Sequence, residues 1–274
     1  MKTLVLHSLK TSAAKKLALE LRGEIEVRKN HFRIHTKKDF DIENFRLSNN
    51  FDLNIFDNNF DYQNIKLMVS DMDSTLITVE TIDEVAKEVG LKDEISLITE
   101  AAMQGHLDFT ESFNKRLSIL KGVSNSSFES VYNKKVEFSP GAKVLIEYFK
   151  SNQIRTAVVS GGLSFFAKKL QSQLGIDNCR ANNVEIINQS ITGNVIGNVI
   201  DAKEKAKYID ELCDQYKLKN NQVIAIGDGA NDIEMMKVAG LSVAYHAKPI
   251  LKQYCDIQIN YGSLASLIDF FVDA

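Results

Sequence analysis

Hydrophobic positions change their pattern near residue 65 of the chain. Beyond this point, near-continuous apolar runs alternate with stretches of helical periodicity, which is typical of a parallel β-sheet covered on both faces by helices. The apolar runs predict strands at residues 65–70, 154–160, 222–227 and 241–246. The periodic stretches predict helices at 163–174, 202–216, 232–239 and 249–254. The pattern therefore predicts an open, doubly wound α/β domain.

Two segments between these strands have patterns of their own. Residues 78–137 place apolar side chains at helical spacing, as at Ile82 and Val85, and contain no strand-like run. This stretch is too long for a single crossover, so we expect an inserted helical cap. Residues 183–200 alternate apolar and polar side chains around the Asn-Gln pair at 188–189, which predicts a β-hairpin.

The first 64 residues predict a smaller unit of a different kind. Its pattern indicates a strand at 1–7, an amphipathic helix at 12–21 and an alternating strand with a polar turn at 24–35. Residues 48–64 are rich in Asn and Asp, so we expect an irregular tail and linker there. We therefore expect a small N-terminal α+β domain over 1–64, followed by the larger domain over 65–274.

Composition and charge exclude several classes of partner. The formal net charge is -3, which leaves no global field to attract nucleic acid or an anionic membrane. Residues 1–38 carry ten Lys and Arg against three Asp and Glu, whereas 39–64 carry one against six, and we interpret these segments as solvated surfaces that neutralise each other. No run reaches the ~18 apolar residues of a membrane span. The N-terminal apolar run is too short for a signal peptide, so we expect a cytoplasmic protein.

Polar residues with chemical potential follow three of the predicted strands. The segments are Asp71-Met72-Asp73-Ser74-Thr75, Ser160-Gly161-Gly162 and Gly227-Asp228-Gly229-Ala230-Asn231-Asp232. Ligands bind beyond the carboxyl ends of parallel strands, so four carboxylates are expected to converge at one sheet edge. Their mutual repulsion requires a cation, and an all-oxygen site shared with substrate phosphate suits Mg²⁺. Lys205, on the helix before the third of these strands, is the expected second counter-charge.

Together these motifs resemble the haloacid dehalogenase superfamily of phosphatases. Longer stretches resemble its L-phosphoserine phosphatase family: DMDSTLITVETIDEVA, SFNKRLSILKG, VVSGG, AIGDGANDIEMMKVAG and AYHAKPILK. The resemblance covers about 200 residues, from Ile65 to the end. It does not extend securely over residues 1–64, where bacterial members of the family often carry a small regulatory-type domain.

The resemblance implies roles for the residues at the sheet edge. Asp71 would be the nucleophile that forms an aspartyl-phosphate, and Asp73 the general acid and base. Mg²⁺ would be held by the Asp71 carboxylate, the Asp73 carbonyl and Asp228, with Asp232 further out. The remaining members would contact the phosphate or neutralise its charge: Ser160, Gly161, Asn231 and Lys205.

The resemblance also implies substrate contacts from the cap. Glu80 would recognise an ammonium group and Arg116 a carboxylate, which a guanidinium binds with two parallel hydrogen bonds. Met103 and Phe109 would close over the substrate, and packing within the helices is their alternative role. For His106 and His246 we expect structural roles.

The expected function is that of a Mg²⁺-dependent phosphatase that hydrolyses L-phosphoserine to L-serine and phosphate, the last step of serine biosynthesis. The alternatives are a phosphatase or phosphotransferase for another small amino-phosphate, such as phosphohomoserine or phosphoethanolamine, and a sensor or interaction protein driven by its N-terminal segment. The expected partner is a small molecule, with no nucleic acid and no membrane, and a homodimer is left open. Catalysis is not expected to require residues 1–64.

Overall fold

The computed structural model describes residues 1–103 and 106–271, except for the side chain of Met103, and contains two β-sheets. The larger sheet has seven strands in the order β11-β10-β9-β5-β6-β7-β8. Its strands are β5 (Leu67–Ser70), β6 (Arg155–Leu163), β7 (Asn178–Ile187), β8 (Ser190–Ile196), β9 (Val223–Gly227), β10 (Leu241–Tyr245) and β11 (Ile257–Ile259). All neighbours are parallel except β7 and β8, so the predicted parallel α/β sheet is confirmed.

Helices cover both faces of this sheet. They are α7 (Ala142–Ser151), α8 (Ser164–Leu174), α9 (Ala202–Tyr216), α10 (Ile233–Val238), α11 (Pro249–Lys252) and a 3₁₀ helix over Leu264–Phe270. Two apolar clusters lie on opposite faces, because alternate residues of the central strands point to opposite sides. Met68 belongs to one cluster, while Leu67 and Val69 belong to the other.

The predicted hairpin is confirmed as β7 and β8, which pair antiparallel. Asn188 and Gln189 form its turn with φ values of 51° and 63°. Two consecutive positive φ angles are the mark of the type I′ turn, whose twist matches that of the flanking strands.

Between β5 and β6 the chain forms the predicted helical cap. It consists of α3 (Thr81–Glu88), α4 (Lys92–Met103), α5 (Phe109–Ile119) and α6 (Asn125–Lys135). The two chain segments that connect it to the sheet lie side by side. Ile77 bridges Phe138 antiparallel, and the Ser139 N–H donates to the Leu76 carbonyl at 2.9 Å.

The smaller sheet lies at the N-terminal end of the chain and is antiparallel throughout, in the order β2-β3-β1-β4. Its elements are β1 (Lys2–Leu6), α1 (Thr11–Leu21), β2 (Glu24–Val27), β3 (Phe32–Thr36), α2 (Ile42–Leu47) and β4 (Leu53–Phe56). The prediction of an irregular tail over 48–64 is wrong for β4, which pairs with β1. That residues 1–64 form a domain of their own stays a prediction.

One face of the smaller sheet packs on α1, and the other on the 3₁₀ helix over Leu264–Phe270. Leu4 and Leu6 join the cluster around α1, whereas Val5 lies in the main core. Asn54 pairs with the Gln258 backbone: its amide donates to the carbonyl at 3.0 Å and its oxygen accepts from the N–H at 2.8 Å. The two sheets are thus joined through β4 and β11. No helix among the described residues is long and apolar enough to cross a membrane.

Candidate active site

Asp71 lies at the carboxyl end of β5, in the middle of the larger sheet, and is 3 % exposed. Its N–H donates to the Ile226 carbonyl at 2.9 Å, which extends the pairing with β9 by one residue. Its Oδ1 accepts from the Met72 N–H at 2.7 Å. Its Oδ2 accepts from the Asn231 amide at 3.2 Å. The strand and its loop thus fix both oxygens of this carboxylate.

Asp232 organises the loop that follows β9. Its Oδ2 accepts from the backbone N–H groups of Asp228 and Gly229 at 3.0 and 3.1 Å. A Cβ at Gly227 would collide with this carboxylate, so the site requires glycine there. The Asp228 carboxylate is also buried and faces Asp71.

Lys205 joins the two loops from the middle of the buried cluster. Its ammonium lies 2.8 Å from Asp71 Oδ2 and 2.7 Å from Asp232 Oδ1, and the side chain has no solvent exposure. Burial alone would lower the pKa of Lys205, but the charges of Asp232 and Asp71 raise it above its ordinary value. Lys205 is therefore a permanent positive charge beside Asp71.

The carboxylates fit a small, hard divalent cation. Ligand oxygens of Asp71, Asp228 and Asp232 all lie within 4.8 Å of one another. Burial, with the charges of Asp71 and Asp232, raises the pKa of Asp228 to about 7. The cluster thus holds three carboxylates and one ammonium, that of Lys205. Oxygen donors in a compact acidic site suit Mg²⁺. Because both Asp232 oxygens accept hydrogen bonds, from Lys205 and from two loop N–H groups, Asp228 is better placed than Asp232 to be a direct ligand.

Asp73 occupies the opening of the site. Its Oδ2 accepts from the Thr81 hydroxyl at 2.9 Å and the Thr81 N–H at 3.3 Å, while its Oδ1 is buried without a partner among the described residues. Burial and the charges of Glu80 and Asp71 raise the pKa of the Asp73 carboxyl well above its ordinary value. Asp73 can therefore hold a proton at the opening of the site.

Ser160 and Gly161 lie within β6 rather than after it, because the strand continues to Leu163. The register with β7 shifts between Val159 and Leu163, so a bulge falls on the Ser-Gly-Gly segment. The Ser160 hydroxyl accepts from the Gly162 N–H at 2.8 Å. A Cβ on Gly162 would lie 3.0 Å from Asp73 Oδ2. The bulge therefore brings the Gly162 backbone close to the Asp73 carboxylate.

Phe109 brings the cap onto this bulge. A Cβ on Gly161 would lie 2.5 Å from the tip of the Phe109 ring, so the ring rests directly on the glycine. Asn182 holds the same glycine from below, by donating to its carbonyl at 2.8 Å. The side chain of Met103, the other predicted apolar cap contact, lies outside the described residues.

Glu80 and Arg116 bring opposite charges to the mouth of the site. Glu80 is exposed and accepts from the Ser74 hydroxyl at 2.7 Å. Arg116 is largely enclosed: burial lowers its pKa, the charges of Asp83, Glu80 and Asp73 oppose that shift, and its Nε has no partner among the described residues. A guanidinium remains protonated in proteins, so Arg116 offers a buried positive charge next to acidic neighbours.

The structure brings together every predicted site residue whose side chain it describes, but it also shows contacts that the sequence reasoning missed. These are Thr81 on Asp73, Asn182 on Gly161, Asp83 near Arg116 and Lys248 near Asp228. Thr81 and Lys248 lie inside the stretches ETIDEVA and AYHAKPILK, which is the signal that could have identified them. His246 bonds through its ring to the Gly262 carbonyl, as a structural residue would.

Comparison with known proteins agrees with this geometry. A family model for haloacid dehalogenase-like hydrolases matches residues 68–237. This chain belongs to the haloacid dehalogenase-like hydrolase family. Its relatives there include a phosphoserine phosphatase of Polaromonas sp., 43 % identical over 209 residues, which are 74 % of this chain and 89 % of the relative. The curated relatives also show that the chain is an enzyme of the phosphatase class.

Two solved structures extend the comparison. A HAD family hydrolase from Salmonella enterica serovar Typhi has a TM-score of 0.91 at 28 % identity, over 99 % of this chain and 98 % of its own. A phospho-aspartyl intermediate analogue of phosphoserine phosphatase has a TM-score of 0.70 at 37 % identity, over 76 % of this chain and 99 % of its own. The first match therefore includes the smaller sheet in its coverage.

Proposed function

We propose that this hydrolase cleaves L-phosphoserine to L-serine and phosphate by way of an aspartyl-phosphate on Asp71. The observation that carries the proposal is the placement of two opposite charges, Glu80 and Arg116, at the mouth of a buried site built around Asp71. L-Phosphoserine carries an ammonium and a carboxylate on one carbon, next to its phosphate ester. The names of the relatives at about 40 % identity support the same substrate.

In the first half-reaction, an Asp71 oxygen attacks phosphorus in line with the ester oxygen, and the bond from phosphorus to that oxygen breaks. Asp73, whose raised pKa favours the protonated form, gives its proton to the leaving serine oxygen. Asp73 then takes a proton from water, which attacks phosphorus and releases Asp71 and free phosphate. The split into two displacements replaces one difficult step with two easier ones.

Charge neutralisation accounts for most of the remaining catalysis, since the transferred phosphoryl group bears negative oxygens throughout. Lys205 and Asn231 contact Asp71 Oδ2, and Ser160, Gly161 and Asn231 would donate hydrogen bonds to the phosphate. Asp71 and Asp228 would hold Mg²⁺, with the Asp73 carbonyl as the third protein ligand and Asp232 behind them. When bound, Mg²⁺ would shield the nucleophile from the phosphate charge and orient both.

Substrate selection would come from the cap. Arg116 would bind the carboxylate in a bidentate pair, Glu80 would accept from the ammonium, and Phe109 would exclude water. The serine product would make this the last step of serine biosynthesis, and we propose the cytoplasm as its location.

The test compares three substrates on the purified full chain with Mg²⁺: L-phosphoserine, phosphohomoserine and phosphoethanolamine. We expect kcat/KM for L-phosphoserine to exceed the others by about tenfold or more, because a site built to pair a carboxylate and an ammonium penalises their absence or displacement. A tenfold preference for another ester would refute the substrate assignment.

The nucleophile is tested by Asp71→Asn, for which we expect a fall in kcat on the order of 10⁴-fold or more. Asp177→Asn is the matched control, because Asp177 accepts from the Thr156 N–H at the opposite edge of the same sheet. Mass spectrometry of acid-quenched enzyme should show a phosphate adduct on the wild type and none on Asp71→Asn. An undiminished adduct on the variant would assign the nucleophile elsewhere.

A further inference from the structure

His246 has an unusual backbone next to the candidate site. It follows β10 with φ at 44°, in the left-handed region that residues with a side chain seldom adopt. Such conformations persist only where the surroundings hold them, and they concentrate at functional sites. Two residues later, the chain reaches Lys248, whose N–H donates to the Asp228 carbonyl at 2.8 Å.

Two hydrogen bonds hold His246 in this conformation. Its N–H donates to the Ile259 carbonyl at 2.7 Å, and its ring Nε2 lies 2.8 Å from the Gly262 carbonyl. Because a carbonyl only accepts, Nε2 must carry the hydrogen. The turn that leads to Lys248 is therefore held by Ile259, at the end of β11, and by Gly262 of the loop over residues 260–262.

That loop is in turn wrapped around Asp52, which precedes β4 in the smaller sheet. The Asp52 carboxylate accepts from the N–H groups of Asn260 at 2.6 Å, Tyr261 at 3.2 Å and Gly262 at 2.7 Å. Asp52 is only 2 % exposed. A Cβ on Gly262 would lie 2.9 Å from Asp52 Oδ2, so the loop closes on the carboxylate with no room for a side chain. Three N–H donors converging on one buried carboxylate make a strong and rigid anchor.

We propose that Asp52 is a positioning residue for the active site: through residues 260–262 and His246 it fixes Lys248 and hence Asp228, a carboxylate assigned above to Mg²⁺. The proposal rests on the proposed function for the role of Asp228. The Lys248 charge faces Asp228 as well, since it opposes the rise of the Asp228 pKa. Residues that orient a metal ligand without touching the metal contribute about 10- to 100-fold to affinity or activity.

The first experiment measures divalent-cation affinity directly, by titrating Mn²⁺ into the full-length protein and recording free Mn²⁺ by electron paramagnetic resonance. We expect Asp52→Ala to weaken Mn²⁺ binding by about tenfold and to raise the Mg²⁺ concentration for half-maximal activity similarly. KM for L-phosphoserine at saturating Mg²⁺ should change less than twofold, because the cap is untouched.

The matched control is Asp41→Ala, which removes another carboxylate from the same segment. Asp41 caps α2 by accepting from the Glu43 N–H at 2.9 Å, so its loss weakens a helix without touching residues 260–262. It should leave Mn²⁺ affinity at the wild-type value.

A second pair of variants tests the pathway at His246. His246→Ala should weaken Mn²⁺ binding, whereas His246→Asn should restore part of it, because asparagine tolerates positive φ and its amide can donate. These variants leave Asp52 in place, so they keep the proposal testable if Asp52→Ala does not fold.

If Asp52→Ala and His246→Ala lower the melting temperature but keep Mn²⁺ affinity within twofold of wild type, these contacts stabilise the fold without positioning Asp228, and the proposal is wrong. The substrate assignment fails separately: a wild type that ignores L-phosphoserine while Asp52→Ala still loses Mn²⁺ affinity would overturn the proposed function and uphold the positioning role.

Discussion

Lys205 has no contact with solvent, and both of its charged partners are carboxylates of the candidate site. Removing one member of such a buried set leaves an uncompensated charge, which costs about 3–5 kcal/mol. The same contacts hold the β5 and β9 loops together, so the residues that would perform the chemistry also determine the local structure. At the residue scale, function and folding therefore depend on the same few atoms.

Arg116→Ala tests how much specificity one side chain carries. We expect kcat/KM for L-phosphoserine to fall about 10- to 100-fold, since hydrogen bonds to a charged group contribute roughly 1.5–3 kcal/mol, while phosphoethanolamine is hydrolysed as before. The control is Arg180→Ala, which removes a guanidinium that pairs with Glu211 away from the site. Equal losses for both substrates would contradict a carboxylate-binding role.

The hydrophobic pattern alone identifies site residues that follow strands, whereas Glu80 and Arg116 are identified only by the family resemblance. Asp71 and Asp228 each end an apolar run, and the geometry of parallel sheets brings such positions to one edge. Asp52 carries no such signal, because its partners are three N–H groups more than 200 positions away. Contacts of that kind depend on how two sheets pack, which no local pattern encodes.

Secondary-structure elements likewise divide into those that the hydrophobic pattern predicts and those that it does not. The strands and the helix over Ala202–Tyr216 follow their hydrophobic periods closely, since each has a buried side. β4 was missed because its four residues are flanked by Asn and Asp, and Asn54 faces the larger sheet with a polar side chain. A short strand whose inward residue is polar has no alternation to detect.

Contact between the cap and the sheet is testable at Gly161. Gly161→Ala should lower kcat/KM because the new methyl group displaces the Phe109 ring, and the effect should shrink in a Phe109→Leu background, whose side chain lacks the tip. Neighbouring residues couple by about 0.5–3 kcal/mol, which a double-mutant cycle on kcat/KM resolves. Additive effects would mean that the ring does not rest on Gly161 during turnover.

Across the whole molecule, a second buried cluster fastens the N-terminal sheet to the end of the chain. Asp269 lies between two histidines, with His7 Nδ1 at 2.8 Å and His31 Nδ1 at 3.2 Å. The Arg33 guanidinium also donates to the Asp269 carbonyl at 3.1 Å. Burial would raise the pKa of Asp269, but the contacts with His31 and His7 lower it below its ordinary value.

This shift predicts an acid-dependent loss of stability. A carboxyl whose pKa is depressed by folding stabilises the protein above its unfolded pKa of about 3.9, and the contribution disappears as the pH falls through the depressed value. We expect Asp269→Asn to lower the free energy of unfolding at pH 7 by about 1–3 kcal/mol, and this difference to shrink below pH ~4. Urea unfolding at several pH values measures it. A difference independent of pH would rule out the ionic contribution.

The two segments that connect the cap to the sheet lie side by side, which bears on how the cap is built into the chain. Leu76 and Ser139 are hydrogen-bonded neighbours although 62 residues separate them, so the chain leaves the sheet and returns to it at one point. The length of the intervening segment therefore does not determine how β5 and β6 connect, although cap side chains such as Phe113 share the apolar core with the sheet.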